Sequence, residues 1–461
     1  AIDWRPLLFQ QFHDILPGTS IPEVFEQAEP QWRAARRRAR RQRDQALAAV
    51  PAPAARQPRG EEAWRVAQLG PWPAEPRTLR LPAGQWWLRS REGERPLPGQ
   101  AAPGGGQWLQ LPGIAGCGVW SLCRRRDPAA PSTPGPSPAD AAAWPSDGAT
   151  TAGPAAQHPV WLEAAPDLGP EHRRLGNGLL SVVVGPEGGE QLLDRHGVPQ
   201  LAAPLRWRRD TDTGEFWDAW DLAPPERRDP LAWIWHGAPQ WIETGPLCAR
   251  FRWRGRCGAS PLRLEGRLLA GQPALELTLS VDWRQRHELL RLEIPLARPA
   301  LRWAADTPAG VLERAAMPRT AREQARWEVA AVSWLASVGA GSAGGGVAVL
   351  LDGPQGVDAT AERLGVSLLR GPTWPDPGAD NGWQRQRLAL MPCGEGWRPA
   401  RVPLRARQFR EPLWRHPVET SGWNAAEDQT PAWPELAADL ALVQLRLAAG
   451  GDAVLVAIQN E

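Results

Sequence analysis

Tyrosine is absent from the 461-residue chain, lysine is absent, and only 2 methionines and 5 cysteines occur. All 53 basic residues are therefore arginine. The codons of Tyr and Lys, like those of the scarce Asn, are AT-rich, so these gaps read as coding bias. The 27 Trp share that origin in part and stand partly where Tyr would also serve, so no single Trp is evidence for a sugar platform. The cysteines, Cys117, Cys123, Cys248, Cys257 and Cys393, are odd in number and none forms a Cys-x-x-Cys pair. Neither a disulfide framework nor a zinc ribbon is indicated, and a reducing compartment is the plain reading. No run of about 18 apolar residues occurs, which excludes a helical membrane span, and no signal peptide is visible. The formal net charge of +2 removes any global electrostatic reason to expect nucleic acid or an anionic membrane. There are no βαβ units, no GxGxxG or P-loop, no internal repeat, and no Ser/His/Asp or Cys/His spacing of a catalytic set.

What is present is ordinary globular material. Apolar residues make up 42% and charged ones 23%, which excludes a wholly disordered or collagen-like chain. Pro (50) and Gly (46) together make up about a fifth of the chain, against about 12% in ordinary usage. The length suggests about two to four domains. The chain opens on Ala1 rather than Met, which reads as a segment of something longer.

Residues 1–50 read as helical. Trp4, Leu7, Leu8, Phe12 and Ile15 recur at helical spacing, and Pro17-Gly18 ends that helix. Ser20 and Glu23 form a capping box that opens a second helix, which Pro30 should kink or interrupt. The arginine run Arg33, Arg36, Arg37, Arg38, Arg40, Arg41, Arg43 reads as a solvated helix face, with binding to an anionic polymer as the competing reading. From residue 51 to 126 short period-two segments, Thr78–Pro82, Gln85–Arg89 and Gln107–Leu111, suggest a small β-sandwich. Residues 127–160, dense in Pro, Ala, Ser, Thr and Gly, read as a linker or long loop. From 161 to 461 strands dominate. Leu179–Val184 leads to a Gly-rich turn, Leu275, Leu277, Leu279 and Val281 alternate with polar residues, as do Leu290, Leu292 and Ile294, and Val347–Leu351 is fully apolar. The fold class is mainly β, dominated by one large antiparallel sandwich.

The densest local signal is Gln10-Gln11-Phe12-His13-Asp14-Ile15-Leu16-Pro17-Gly18-Thr19-Ser20-Ile21-Pro22. On residue types alone, His13 beside Asp14 reads first as a satisfied helix-end pair. Adjacent helix residues diverge by about 100°, so the two should rarely chelate one ion together. Asp218, Asp221, His236 and His287 read as turn or salt-link residues of the large sandwich, and Asp376, Asp380, Asn381 and Trp383 as a polar loop.

The string Gln10–Pro22 resembles the middle-domain motif of glycoside hydrolase family 38 α-mannosidases, Asn/Gln-Gln-Phe-His-Asp-x-Leu-Pro-Gly-Thr/Ser-Ser. Four further stretches resemble that family in order. They are Leu175–Val184 with Gly188-Gly189 and Leu193-Asp194-Arg195, then Trp217-Asp218-Ala219-Trp220-Asp221. Asp282-Trp283 with Arg286-His287 and Leu289 follows, Glu288 standing where Lys is usual; last comes Leu368-Leu369-Arg370-Gly371-Pro372-Thr373-Trp374-Pro375-Asp376-Pro377, with Trp374 where Tyr is usual.

The resemblance implies the end of a three-helix middle domain over 1–50, and over 161–461 a galactose-mutarotase-like super-sandwich, expected to be truncated at its end. It implies a retaining, zinc-dependent α-mannosidase acting on mannose-containing oligosaccharides, with an Asp nucleophile and a second carboxylic acid. Of the family's metal ligands only the further His maps here, onto His13, while Asp14 maps onto a carboxylate that binds a sugar hydroxyl. No His-x-Asp segment precedes His13, so no catalytic nucleophile is expected in this segment, which should be inactive alone. The chain thus reads as the C-terminal two-thirds of such an enzyme. Bacterial members of this kind look cytoplasmic and catabolic; no nucleic-acid or membrane partner is expected, and a homo-oligomer is an open expectation. In the polar loop 376–383 the resemblance implies substrate contact as a second role. The competing function is a non-catalytic β-sandwich module for carbohydrate binding or assembly.

Overall fold

The helical expectation for the first segment holds for one turn only. A helix spans Arg5–Phe9, and residues 10–18 then form successive turns. The apolar stripe that suggested a longer helix has little to pack against: Leu8, Phe12 and Leu16 are 62%, 55% and 68% exposed. A short helix without a buried face is marginal in water. Gln10 instead turns inward, buried, and its Nε2 donates to Gln31 Oε1 at 3.1 Å.

The second helix, Pro22–Ala49, begins with proline at its first position, where the missing N–H costs nothing. It runs through Pro30 without a break, contrary to the interruption expected there. Pro30 forfeits one backbone bond at about 3 kcal/mol. The flanks of Ala, Glu, Gln and Arg, all strong helix formers, carry the helix past it. Arg33, Arg36, Arg37, Arg38, Arg40 and Arg41 are exposed, as a solvated face requires, while Arg43 lies 4.1 Å over the Trp414 ring.

The structure is a computed structural model that describes residues 5–49, 61–418, 440–447 and 454–460, apart from 71, 91, 115, 126–154, 187, 215, 216, 309 and 340–345. Most of the expected 127–160 linker lies outside the described residues. Two sheets make the small unit. One has the order Trp414–Val418, Glu61–Ala67, Val119–Arg125, Gln85–Ser90, Gly93–Pro96; the other has Arg77–Leu81, Gln107–Leu111, Gly99–Ala101. Val66, Leu81, Leu109, Leu111, Trp120 and Leu122 fill the space between them. One edge strand of this unit thus comes from beyond the large sandwich.

Antiparallel sheets of ten, six and four strands build the large unit over a main apolar core, and a second apolar cluster packs the ten-stranded sheet against helix Val402–Arg410. Strand Leu275–Trp283 alternates strictly, every odd-numbered residue buried, as its period-two pattern requires. Strand Glu288–Pro295 is buried on both faces, because its polar residues are paired there. Arg291 donates to Glu328 at 2.6 Å and Ser367 at 2.9 Å and also pairs with Asp358. All five cysteines are free; burial pushes the Cys393 thiol up to about 12 and those of Cys123 and Cys257 up to about 11. Among the described residues no helix is long and apolar enough to cross a membrane.

One buried side chain fixes the long helix to the small sandwich. Arg65 Nη1 donates to the Leu47 carbonyl at 2.6 Å and the Ala48 carbonyl at 2.7 Å, satisfying two acceptors that the helix end leaves open. Burial lowers its pKa. Arg65→Met is expected to cost about 1.5–3 kcal/mol, the range for hydrogen bonds to a charged group, read as a fall in the urea midpoint.

Candidate functional site

The His13 turn is closed by backbone bonds from Leu16 N to Phe12 O at 3.0 Å and from Thr19 N to Asp14 O at 3.0 Å. Gly18 sits at φ +81°, a left-handed position that glycine occupies without strain. Because this is a turn and not a helix, the expected divergence of the two side chains does not occur. His13 Nε2 lies 3.4 Å from Asp14 Oδ2, with side chains 76% and 30% exposed.

A second loop faces this turn. Trp220 N and Asp221 N both donate to Trp217 O, at 2.8 and 2.7 Å, making Trp217–Asp221 a tight bend. Arg370 holds it from within. Its Nη2 donates to the carbonyls of Asp218 at 3.0 Å and Asp221 at 2.5 Å, its Nη1 to Ala219 O at 3.3 Å, and its Nε to the carboxylate of Asp212 at 2.5 Å. Asp212 is 2% exposed. On the outer side Trp217, Trp220 and Trp374 form an exposed cluster with centroids 5.5–5.8 Å apart. Asp218 Oδ2 accepts from Thr373 N at 2.6 Å, and His287 lies 3.5 Å from Asp218 Oδ1 and 3.1 Å from the Thr373 hydroxyl.

Turn and loop enclose an open cavity of about 490 Å³ lined by His13, Asp14, Pro17, Thr19, Ala219 and Trp220. The buried Thr19 hydroxyl makes no hydrogen bond among the described residues. No group of three or more His, Cys, Asp or Glu among the described residues is placed to hold a metal. Two donors, one imidazole and one carboxylate, fall short of the about three protein ligands a catalytic zinc takes.

Two family models match the chain: the alpha mannosidase middle domain over residues 1–50 and the glycosyl hydrolases family 38 C-terminal domain over residues 175–378, together more than half of it. The chain belongs to glycoside hydrolase family 38. Human alpha-mannosidase 2C1 is 26% identical over 441 residues, 93% of this chain and 37% of that protein. Alpha-mannosidase G of Dictyostelium discoideum is 28% identical over 194 residues, 39% of this chain and 17% of that protein. The chain therefore spans well under half the length of these relatives. In fold, an alpha-mannosidase from Enterococcus faecalis superposes with a TM-score of 0.67 at 12% identity, covering 98% of this chain and 57% of that one.

Not every family 38 motif residue reaches the cavity. His13, Asp14 and Thr19 come from the first motif, Ala219 and Trp220 from the Trp-Asp-Ala-Trp-Asp string. Asp218 and His287 are engaged with Thr373, and Asp221 gives its carbonyl to Arg370. His236 is exposed beyond the edge strand Trp233–Trp235. Asp376 accepts from Gly378 N at 2.7 Å, Asp380 from Arg370 N at 3.0 Å, and Asn381 donates to Gln285 O at 3.3 Å, while Trp383 is exposed. Arg370, Thr373 and Thr19 sit inside the motif strings, yet nothing local in sequence marks their roles, since the partners of Arg370 and Thr373 lie some 150 residues away.

Arg370→Ala leaves Asp212 buried without its cation, and about 3–5 kcal/mol of stability should be lost in urea unfolding. Arg370→Lys keeps the charge without the planar fork, so a smaller loss should accompany a changed near-UV circular dichroism from the Trp cluster. Wild-type stability for Arg370→Ala would remove its organising role.

Proposed function

We propose that this chain supplies the middle and C-terminal parts of an α-mannosidase that hydrolyses terminal α-mannosyl residues of oligosaccharides. His13 is one ligand of its catalytic zinc, and Asp14 accepts a hydrogen bond from a sugar hydroxyl. The observation that carries this reading is the cavity itself. It gathers the His-Asp pair of one family motif and the Ala219-Trp220 step of another, more than 200 residues apart, around one open space. Families conserve fold and site together less strictly than fold alone, so the shared location of both motifs supports the function better than the superposition does.

The residues present make a partial donor set. His13 would hold the metal and Asp14 beside it would bind sugar, with the remaining ligands, the Asp nucleophile and the acid of a retaining mechanism supplied from outside these residues. Zinc, when bound, supplies a Lewis acid that grips mannose hydroxyls. Within the chain, Asp14 offers acceptor oxygens only, the Thr19 hydroxyl has capacity to spare, and the exposed Trp220 ring offers an apolar face to sugar C–H groups. A cytoplasmic location belongs to the proposal, supported by five unpaired thiols.

In protein carrying the whole family architecture, His13→Ala is expected to lose zinc and activity together; an unchanged zinc content by metal analysis overturns the assignment. Asp14→Asn should retain zinc and lower turnover of an aryl α-mannoside by about 10- to 100-fold, the worth of one hydrogen bond to a charged group. Wild-type kinetics would remove its substrate role. Mannoside binding without any hydrolysis by that protein would favour a non-catalytic carbohydrate-binding module instead.

A further inference from the structure

A second cavity, of about 860 Å³, lies where the long helix, the small sandwich and the large sandwich meet. It shares no lining residue with the His13 cavity. Ten arginines line it against three acids, Asp44, Glu276 and Glu411. Five of the ten are held by carboxylates, Arg267 by Glu276 at 2.5 Å among them. The other five, Arg40, Arg77, Arg80, Arg410 and Arg415, make no ion pair among the described residues. They arise from four separate elements: Arg40 from the long helix, Arg77 and Arg80 from strand Arg77–Leu81, Arg410 from helix Val402–Arg410, and Arg415 from strand Trp414–Val418.

Elements that meet for packing alone have little reason to aim like charges at one space, because mutual repulsion in a concave, partly desolvated site is costly. The donors are also only partly spent. Arg77 Nη2 gives one bond to Gln408 O at 3.2 Å, Arg80 Nη2 bonds Pro103 O at 2.7 Å and also Gly105 O, and Arg415 Nη1 bonds the Arg80 carbonyl. Each guanidinium carries five N–H donors. Burial lowers the pKa of Arg77, and Arg405 adds to it, while Glu276, Glu411 and Glu75 oppose the fall.

We propose that this cleft binds a phosphate-bearing small molecule whose phosphates are held by Arg40, Arg77, Arg80, Arg410 and Arg415. Planar guanidiniums bind phosphate oxygens in pairs, and several around one space match an anion of more than one charge. The volume is that of a small-ligand site. A nucleic acid would instead use the convex arginine face at Arg36, Arg37 and Arg38, which points to solvent and does not line the cleft.

The test is calorimetric titration of the chain, at about 0.15 M salt, with three probes: sodium tripolyphosphate for phosphate alone, ATP for a nucleotide and glucose 6-phosphate for a sugar phosphate. At least one should bind saturably, and the one that binds best identifies the source. Arg40 and Arg410 are exposed, so Arg40→Gln/Arg410→Gln should fold with an unchanged thermal midpoint and bind about tenfold or more weakly. Arg36→Gln/Arg37→Gln, on the same helix outside the cleft, should bind as the parent does. Equal weakening by both pairs, no binding of any probe at about 1 mM, or tighter binding of a short single-stranded DNA that Arg36→Gln/Arg37→Gln abolishes would overturn the proposal.

Discussion

The cavity at His13 depends on one buried ion pair, Arg370 with Asp212. The guanidinium is planar and rigid, so once its Nε is fixed on Asp212 its remaining N–H groups point in set directions. Three carbonyls of the 218–221 bend meet them. That choice turns the bend's polar backbone inward and leaves Trp217 and Trp220 to face outward onto Trp374. Asp212 is itself fixed, accepting from Ala223 N at 2.9 Å while its own N–H donates to His287 O at 2.8 Å. A carboxylate this buried is tolerable only because it is paired and multiply hydrogen-bonded. The position of Trp220 against the His13 turn therefore follows from charge satisfaction deep in the large sandwich, not from contacts at the surface.

Much of the β architecture was legible because period two is a local property. Leu275–Trp283 alternates in sequence and in burial alike, and the 107–111 strand falls where its pattern placed it. The first helix departs from its sequence pattern for the opposite reason. An apolar stripe at helical spacing predicts a helix only if something covers it, and Leu8, Phe12 and Leu16 are exposed. Pro30 does not interrupt the second helix because a single lost hydrogen bond weighs less than the propensity of the residues around it. The lining of the candidate cavity was legible only where a motif kept its residues together. His13 and Asp14 are neighbours; Arg370 and Asp212 are 158 residues apart, and no local pattern links them.

The long helix connects the two cavities physically. Its N-terminal end follows the His13 turn, its exposed face brings Arg40 to the second cleft, and Arg65 clamps its last turn. A helix anchored at its end by a buried cation behaves as a rigid strut, so the placement of the His13 turn is set as much by the small sandwich as by the loop it faces.

With only His13 and Asp14 among the described residues, the proposed metal centre would be composite. A ligating imidazole is ordinarily oriented by a bond from its other nitrogen and by packing around the ring. His13 has a tilted contact with Phe12, centroids 4.2 Å apart, and the Asp14 carboxylate beside it, but most of its surface is open. Such a side chain keeps several rotamers, each costing conformational entropy to suppress on binding. The exposed apolar residues on either side, Phe9 and Leu16 among them, carry a hydration cost of their own. Covering that surface would remove the cost and immobilise the His13 ring in one step. A zinc site completed by whatever covers this face would therefore gain its ligand geometry from apolar burial, and the affinity of His13 for metal would rise only with that contact in place.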